Sequence, residues 1–156
     1  MSGRIWSPAS KAALKDVHPL LQELMILALE RTPYDLRVVY GWRDEATQNR
    51  LFNAGASKLV YPRSMHNTWP AQAVDFNPID PTTGDPDPRD WVKFRACIPE
   101  IKEVWDGIAA RHKLPPTVKL ECGAEWRSFP DAAHIQIMGL EGRARTGGLI
   151  RRGVVL

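Results

Sequence analysis

A chain of 156 residues, 44% apolar and 25% charged, has the size and balance of one globular domain with a buried core. No apolar run approaches the ~18 residues of a membrane span, so stable membrane insertion is not expected. Met1–Pro8 also lacks the basic-then-apolar pattern of a secretory signal, which predicts a protein made in a cytoplasm without a leader of its own. The net charge of +3 and pI near 9.0 suit an anionic polymer without choosing among cell wall, membrane surface and nucleic acid. Arg143, Arg145, Arg151 and Arg152 concentrate that charge in the tail, 139–156.

Along the chain, a first helix is predicted from near Asp16, with Pro19 in its opening turn and Leu20, Leu21, Leu24, Ile26, Leu27 and Leu29 as its apolar face. Leu36–Tyr40 is apolar and β-branched and reads as a strand ending at Gly41. Asp44 caps a short helix that carries Leu51 and Phe52 and closes at Gly55. Residues 56–70 have no period and read as a long loop; 71–77 reads as a strand. The stretch 78–90, rich in proline, aspartate and glycine, is a surface connection.

The longest helix is expected over 90–113, with Pro99 dividing or kinking it. Strands at 118–120 and 133–138 complete the set. Mixed helix and strand order favours an α+β domain with a small, mainly antiparallel sheet. Two cysteines are too few for a disulfide framework, so Cys97 and Cys122 are expected to stay reduced, Cys97 as packing.

Two strands carry the chemistry. In 73–77 the period of two puts Val74 and Phe76 on one face and Asp75 on the other. In 134–137 the two isoleucines share a face, leaving His134 with Gln136 opposite. If these strands pair, Asp75 and His134 come within ~5 Å at Cβ, a separation that suits two ligands of one ion. His66, in the turn-rich segment Ser64–Asn67, is the third candidate, nine residues before Asp75. A catalytic zinc takes three N or O ligands and keeps one position for water. Two imidazoles and a carboxylate also suit some iron sites; zinc is preferred because nothing points to oxygen chemistry. Asp131, three residues before His134, is placed to act as general base. Arg43, at the end of another strand, is the candidate contact for a substrate carbonyl or carboxylate. His18 and His112 are read as structural.

Ser64-Met65-His66, Ala73-Val74-Asp75, and Trp126-Arg127-Ser128-Phe129 leading into Asp131-Ala132-Ala133-His134 together resemble the M15 metallopeptidases. That family contains D-alanyl-D-alanine carboxypeptidases, dipeptidases and phage L-alanyl-D-glutamate endolysins. Gly41-Trp42-Arg43-Asp44, followed by Gln48 and Leu51, is similar to the family's arginine-bearing turn and helix. The resemblance covers about 20–138. It implies a fold like that of the Hedgehog and DD-peptidase domains, with Zn2+ held by His66, Asp75 and His134. It also implies Asp131 as base, Arg43 as oxyanion or substrate contact, and Trp126 in the cleft wall. The spacing of nine from His66 to Asp75 is longer than is usual, and Cys122-Gly123-Ala124-Glu125 stands where the family has paired glycines.

The implied activity is an endolysin-like cut of the L-alanyl-D-glutamate bond of the murein stem peptide. The enzyme is expected to be a monomer with peptidoglycan as partner, no nucleic acid, and release to the wall after synthesis. A D-alanyl-D-alanine carboxypeptidase or dipeptidase, or a zinc-containing wall-binding module without catalysis, are the alternatives.

Overall fold

The computed structural model describes residues 4–140; the arginine-rich tail read from the sequence falls, past Leu140, outside the described residues. The architecture is α+β, with helices α1 (Pro8–Leu14), α2 (Pro19–Arg31), α3 (Glu45–Asn53) and α4 (Trp91–Arg111), and strands β1 (Leu36–Tyr40), β2 (Ala73–Pro78), β3 (Lys119–Cys122) and β4 (His134–Met138). The strands form one sheet in the order β1-β2-β4-β3, every pair antiparallel.

Alternation along the strands decides which face meets the helices. Val74 and Phe76 of β2 and Ile135 and Ile137 of β4 are fully buried in the core with Leu20, Leu24 and Phe94. Phe76 and Phe94 meet edge to face at 5.5 Å. The opposite face of β2 and β4 carries Asp75 and His134, which sit directly across from each other in the register.

Helix α2 begins at Pro19 rather than near Asp16, because residue 18 is the cap: His18 Nδ1 accepts the Leu20 N–H at 3.2 Å and Pro19 occupies the first helical position. Helix α3 follows its sequence signals, with Asp44 accepting from Thr47 N at 2.8 Å and Gly55 at φ 75° after its end. Helix α1 was not expected. It is one short element capped by Ser7 with Pro8 at its start, and Ser10 Oγ accepts the Val38 N–H at 3.1 Å. The hydroxyl thus satisfies a donor on the edge strand β1.

Helix α4 runs through Pro99 as one element, so Pro99 does not divide it. Proline removes one ladder bond, but the buried face, from Phe94 and Ile98 to Ile101, Val104 and Ile108, spans both sides of it. Packing against α2 therefore holds the helix together where local propensity disfavours it. Cys97 and Cys122 are free and buried, and burial pushes their thiols up, to about 11 and about 12. Among the described residues no helix is long and apolar enough to cross a membrane.

Candidate metal centre and its cleft

β2 and β4 deliver Asp75 and His134 by register, and the 54–72 loop delivers His66. That loop is anchored by hydrogen bonds to the turn after β1, to α3 and within itself. Arg43 N donates to His66 O at 2.9 Å, Gln72 N to Met65 O at 3.0 Å, and Asn67 Nδ2 to Arg43 O at 3.1 Å. Gln48, fully buried on α3, reaches across to Leu59 O at 2.6 Å and Ser57 Oγ at 2.9 Å. An irregular segment is thus tied by hydrogen bonds on both sides of its histidine.

The three side chains converge. His66 Nε2 lies 3.1 Å from Asp75 Oδ1, His134 Nδ1 lies 3.0 Å from the same oxygen, and the two nitrogens are 3.3 Å apart. All three residues are at most 9% exposed. The outer nitrogen of each ring faces an acceptor: His66 Nδ1 is 2.6 Å from Gly41 O, and His134 Nε2 is 2.8 Å from Gln136 Oε1. With a metal bound, each neutral ring would carry its proton on the outside and turn a lone pair inward. Two inward ring nitrogens and a carboxylate oxygen in mutual contact need protons or a metal ion among them. The cluster can hold a metal ion, and its outer hydrogen bonds are those that orient imidazole ligands.

Electrostatics follow the same logic. Burial acts to raise the Asp75 carboxyl, but the charges and hydrogen bonds of His66 and His134 outweigh it and hold Asp75 well below the usual carboxylate range. Burial acts to lower His134, and bonding to Asp75 more than reverses this. The second oxygen of Asp75 pairs with Arg43 Nη2. Arg43 is itself buried, with its guanidinium 4.3 Å over the Tyr40 ring. The cation read from sequence as a substrate contact is thus engaged by a carboxylate of the site.

The cluster lines a cleft of about 770 Å³ together with Lys58, Leu59, Ser64, Trp126, Phe129 and Asp131. That volume is in the range of sites that enclose small ligands. The Trp126 ring lies 5.2 Å from that of His134. Desolvation, and next the Asp75 charge, push the Asp131 carboxyl up. The Asp131 main chain is tied in: its N donates to Gly123 O at 2.9 Å and its O accepts from His134 N at 3.2 Å.

Of the residues singled out in the sequence, His66, Asp75, Arg43, Asp131, His134 and Trp126 all reach this cleft. His18 caps α2, and His112 ends α4 with Nε2 2.7 Å from Glu23 Oε2, both away from it. Cys122 is not in the metal-binding group. Sequence reasoning assigned no role to Gln136 or Glu121, which line up behind His134 with Gln136 Nε2 2.9 Å from Glu121 Oε2. Gln136 was visible only as a polar residue two places along from a histidine on the same strand face.

A cleft lined by two converging imidazoles and a carboxylate, beside a further carboxylate of raised affinity for protons, is a site for hydrolytic chemistry. The phage L-alanyl-D-glutamate peptidase family matches residues 1–142, and the chain belongs to it: it is a peptidase. A relative in Escherichia phage T5, named L-alanyl-D-glutamate peptidase, is 31% identical over 123 residues, covering 78% of this chain and 81% of the relative. The crystal structure of the L-Ala D-Glu endopeptidase ChiX from Serratia marcescens superposes with a TM-score of 0.69 at 24% identity, over 87% of this chain and 90% of ChiX. That similarity shows the fold.

Proposed function

We propose that this protein is a zinc-dependent murein endopeptidase of the endolysin kind, a monomer and a single peptidase domain, that hydrolyses the L-alanyl-D-glutamate bond of the stem peptide. Made in a bacterial cytoplasm, it acts on the wall after release. The observation that carries the reading is the meeting of His66 Nε2, Asp75 Oδ1 and His134 Nδ1 within 3.3 Å in a cleft that Asp131 also lines. Family membership, and the name of the phage T5 relative, support the choice of bond.

When bound, zinc supplies Lewis acidity that lowers the pKa of water and polarises a carbonyl. The Asp131 carboxylate takes one proton from the attacking water and passes it to the departing D-glutamate amine as the C–N bond breaks. Burial and the neighbouring Asp75 charge raise its proton affinity toward that of a useful base. Trp126 and Phe129 present apolar surface to the cleft. Arg43 holds the second Asp75 oxygen and, lining the cleft, presents positive charge toward the substrate carbonyl.

The test is mass spectrometry of purified peptidoglycan digested with wild type and Asp131→Asn, with metal content measured on both. The expected result is about one zinc per chain in each. New L-alanine C-termini and D-glutamate N-termini should appear with wild type alone. Release of free D-alanine in their place, or a protein that binds no zinc, overturns the proposal.

A further inference from the structure

Among the described residues, two non-glycine residues, Lys113 and Phe129, have positive φ. Lys113, at 52°, follows the last turn of α4, where a left-handed residue commonly ends a helix. Phe129, at 53°, has no such reason. It carries a bulky ring that the left-handed region disfavours, and it precedes Pro130, where the backbone is normally extended.

A conformation of this kind persists only where its surroundings over-determine it. Here both ends of the segment 126–131 are tied to one atom. Trp126 N donates to Gly123 O at 3.2 Å, and Asp131 N donates to the same oxygen at 2.9 Å. Residues 127–130 therefore turn within a closed neck. The Phe129 ring does not repay the backbone cost in the fold, because the residue is 71% exposed and lies outside the core. It lines the cleft instead. There it meets Lys58 of the 54–72 loop, whose Nζ lies 5.3 Å from the ring centre. One loop thus presents apolar surface to the cleft beside an ammonium supplied by another.

An exposed ring next to a cation suits a ligand that has methylenes next to a carboxylate. The ring removes the methylenes from water, and the ammonium pairs with the charge. D-glutamate, the residue on the leaving side of the proposed cut, has that pattern. We propose that Phe129 is a specificity-determining residue whose ring packs on the methylenes of D-glutamate while Lys58 meets the carboxylate. The left-handed backbone is retained because it sets the ring in the cleft. The inference rests on the endopeptidase reading above and adds to it the contact that selects the residue after the cut bond.

The test is steady-state kinetics on a purified stem peptide, with its D-glutamate carboxylate free or amidated. Phe129→Ala should raise KM about tenfold, the scale of leaving roughly 50 Å² of apolar surface uncovered. The loss should be the same on both substrates, since the methylenes are common to them. Phe129→Leu keeps apolar bulk and should restore most of it. Urea midpoints separate binding from folding. Phe129→Ala should unfold close to the wild-type midpoint. Phe129→Gly should unfold at a higher one, because glycine takes a positive φ without strain, yet bind substrate as poorly as Phe129→Ala. A wild-type KM in Phe129→Ala overturns the proposal. So does a loss confined to the free-acid substrate, which marks the ring as acting only through Lys58. A clearly lowered midpoint for Phe129→Ala marks a structural ring, and a Phe129→Gly midpoint no higher than that of Phe129→Ala means that no backbone cost was kept for binding; either result also overturns it. A wild type that makes no cut between L-alanine and D-glutamate removes the endopeptidase reading, and this inference with it.

Discussion

Arg43 separates two accounts of the centre. Arg43→Met removes the guanidinium while keeping much of the apolar stem. Arg43 and Asp75 are only 8% and 9% exposed, so the pair formed by Nη2 and Oδ2 is buried. Removing one partner of such a pair strands a charge and costs about 3–5 kcal/mol. Asp75 keeps His66 and His134 within 3.1 Å, which argues for the lower end, roughly 3 kcal/mol in metal-free protein. At roughly 2–4 °C per kcal/mol for a chain of this size, the melting temperature falls by about 6–12 °C. A bound cation neutralises Asp75 in both proteins, so the gap for zinc-loaded protein narrows to about 1 kcal/mol, the scale of one ordinary hydrogen bond. If Arg43 served only the substrate carbonyl, stability would be unchanged and kcat/KM alone would fall, by about 100- to 1,000-fold. Urea unfolding with and without chelator, alongside kcat/KM on a stem peptide, reads both. A metal-free Arg43→Met protein within about 1 kcal/mol of wild type refutes the buried-pair account.

Three other outcomes are expected. Burial pushes His18 down to about 4 from 6.5, while the unfolded chain titrates near the ordinary value. The unfolded state thus binds more protons below that point, so this contribution is full above about pH 6.5 and is lost as pH falls toward about 4, by roughly 3 kcal/mol. His18→Asn keeps a capping acceptor without the titration and should flatten the urea midpoint over that window; parallel curves would refute this.

Gly123→Ala puts a Cβ 2.4 Å from Asp131 O and 3.1 Å from His134 Cβ. It should cost about 1–3 kcal/mol and weaken zinc binding by shifting base and ligand apart, so an unaltered melting temperature and zinc affinity would show the approach to be harmless. Lys58 lines the cleft with Nζ 5.3 Å from the centre of the Phe129 ring, and forms no salt bridge among the described residues. It is placed to meet the D-glutamate carboxylate of the proposed substrate. Lys58→Met should raise KM up to about fivefold with kcat little changed, as suits an exposed ion pair worth ~1 kcal/mol; an equal KM for free and amidated D-glutamate substrates in wild type would refute it.

Much of this protein was legible before any coordinates, because the signals are local. Period-two alternation put Asp75 and His134 on the faces opposite Val74, Phe76, Ile135 and Ile137. The caps of α3 are written in Asp44 and Gly55, and a stretch without period correctly reads as the loop that holds His66. Helix α1 escaped because its sequence is short and shows only Ser7 and Pro8. Pro99 does not divide α4, because proline reports a local backbone cost whereas α4 is held by a face that packs on α2.

What only the tertiary structure decided is which groups meet. The register that sets Asp75 across from His134 depends on pairing between strands far apart in the chain. Arg43 is engaged by Asp75 because β1 lies beside β2, a neighbour relation that no spacing along the chain encodes. The Glu121–Gln136–His134 chain likewise exists only once β3 and β4 are side by side. Residue types and their periodicity fix which atoms are available and which way each strand turns them. Convergence of three lone pairs on one point is a property of long-range contacts, and it appears only when the chain has closed on itself.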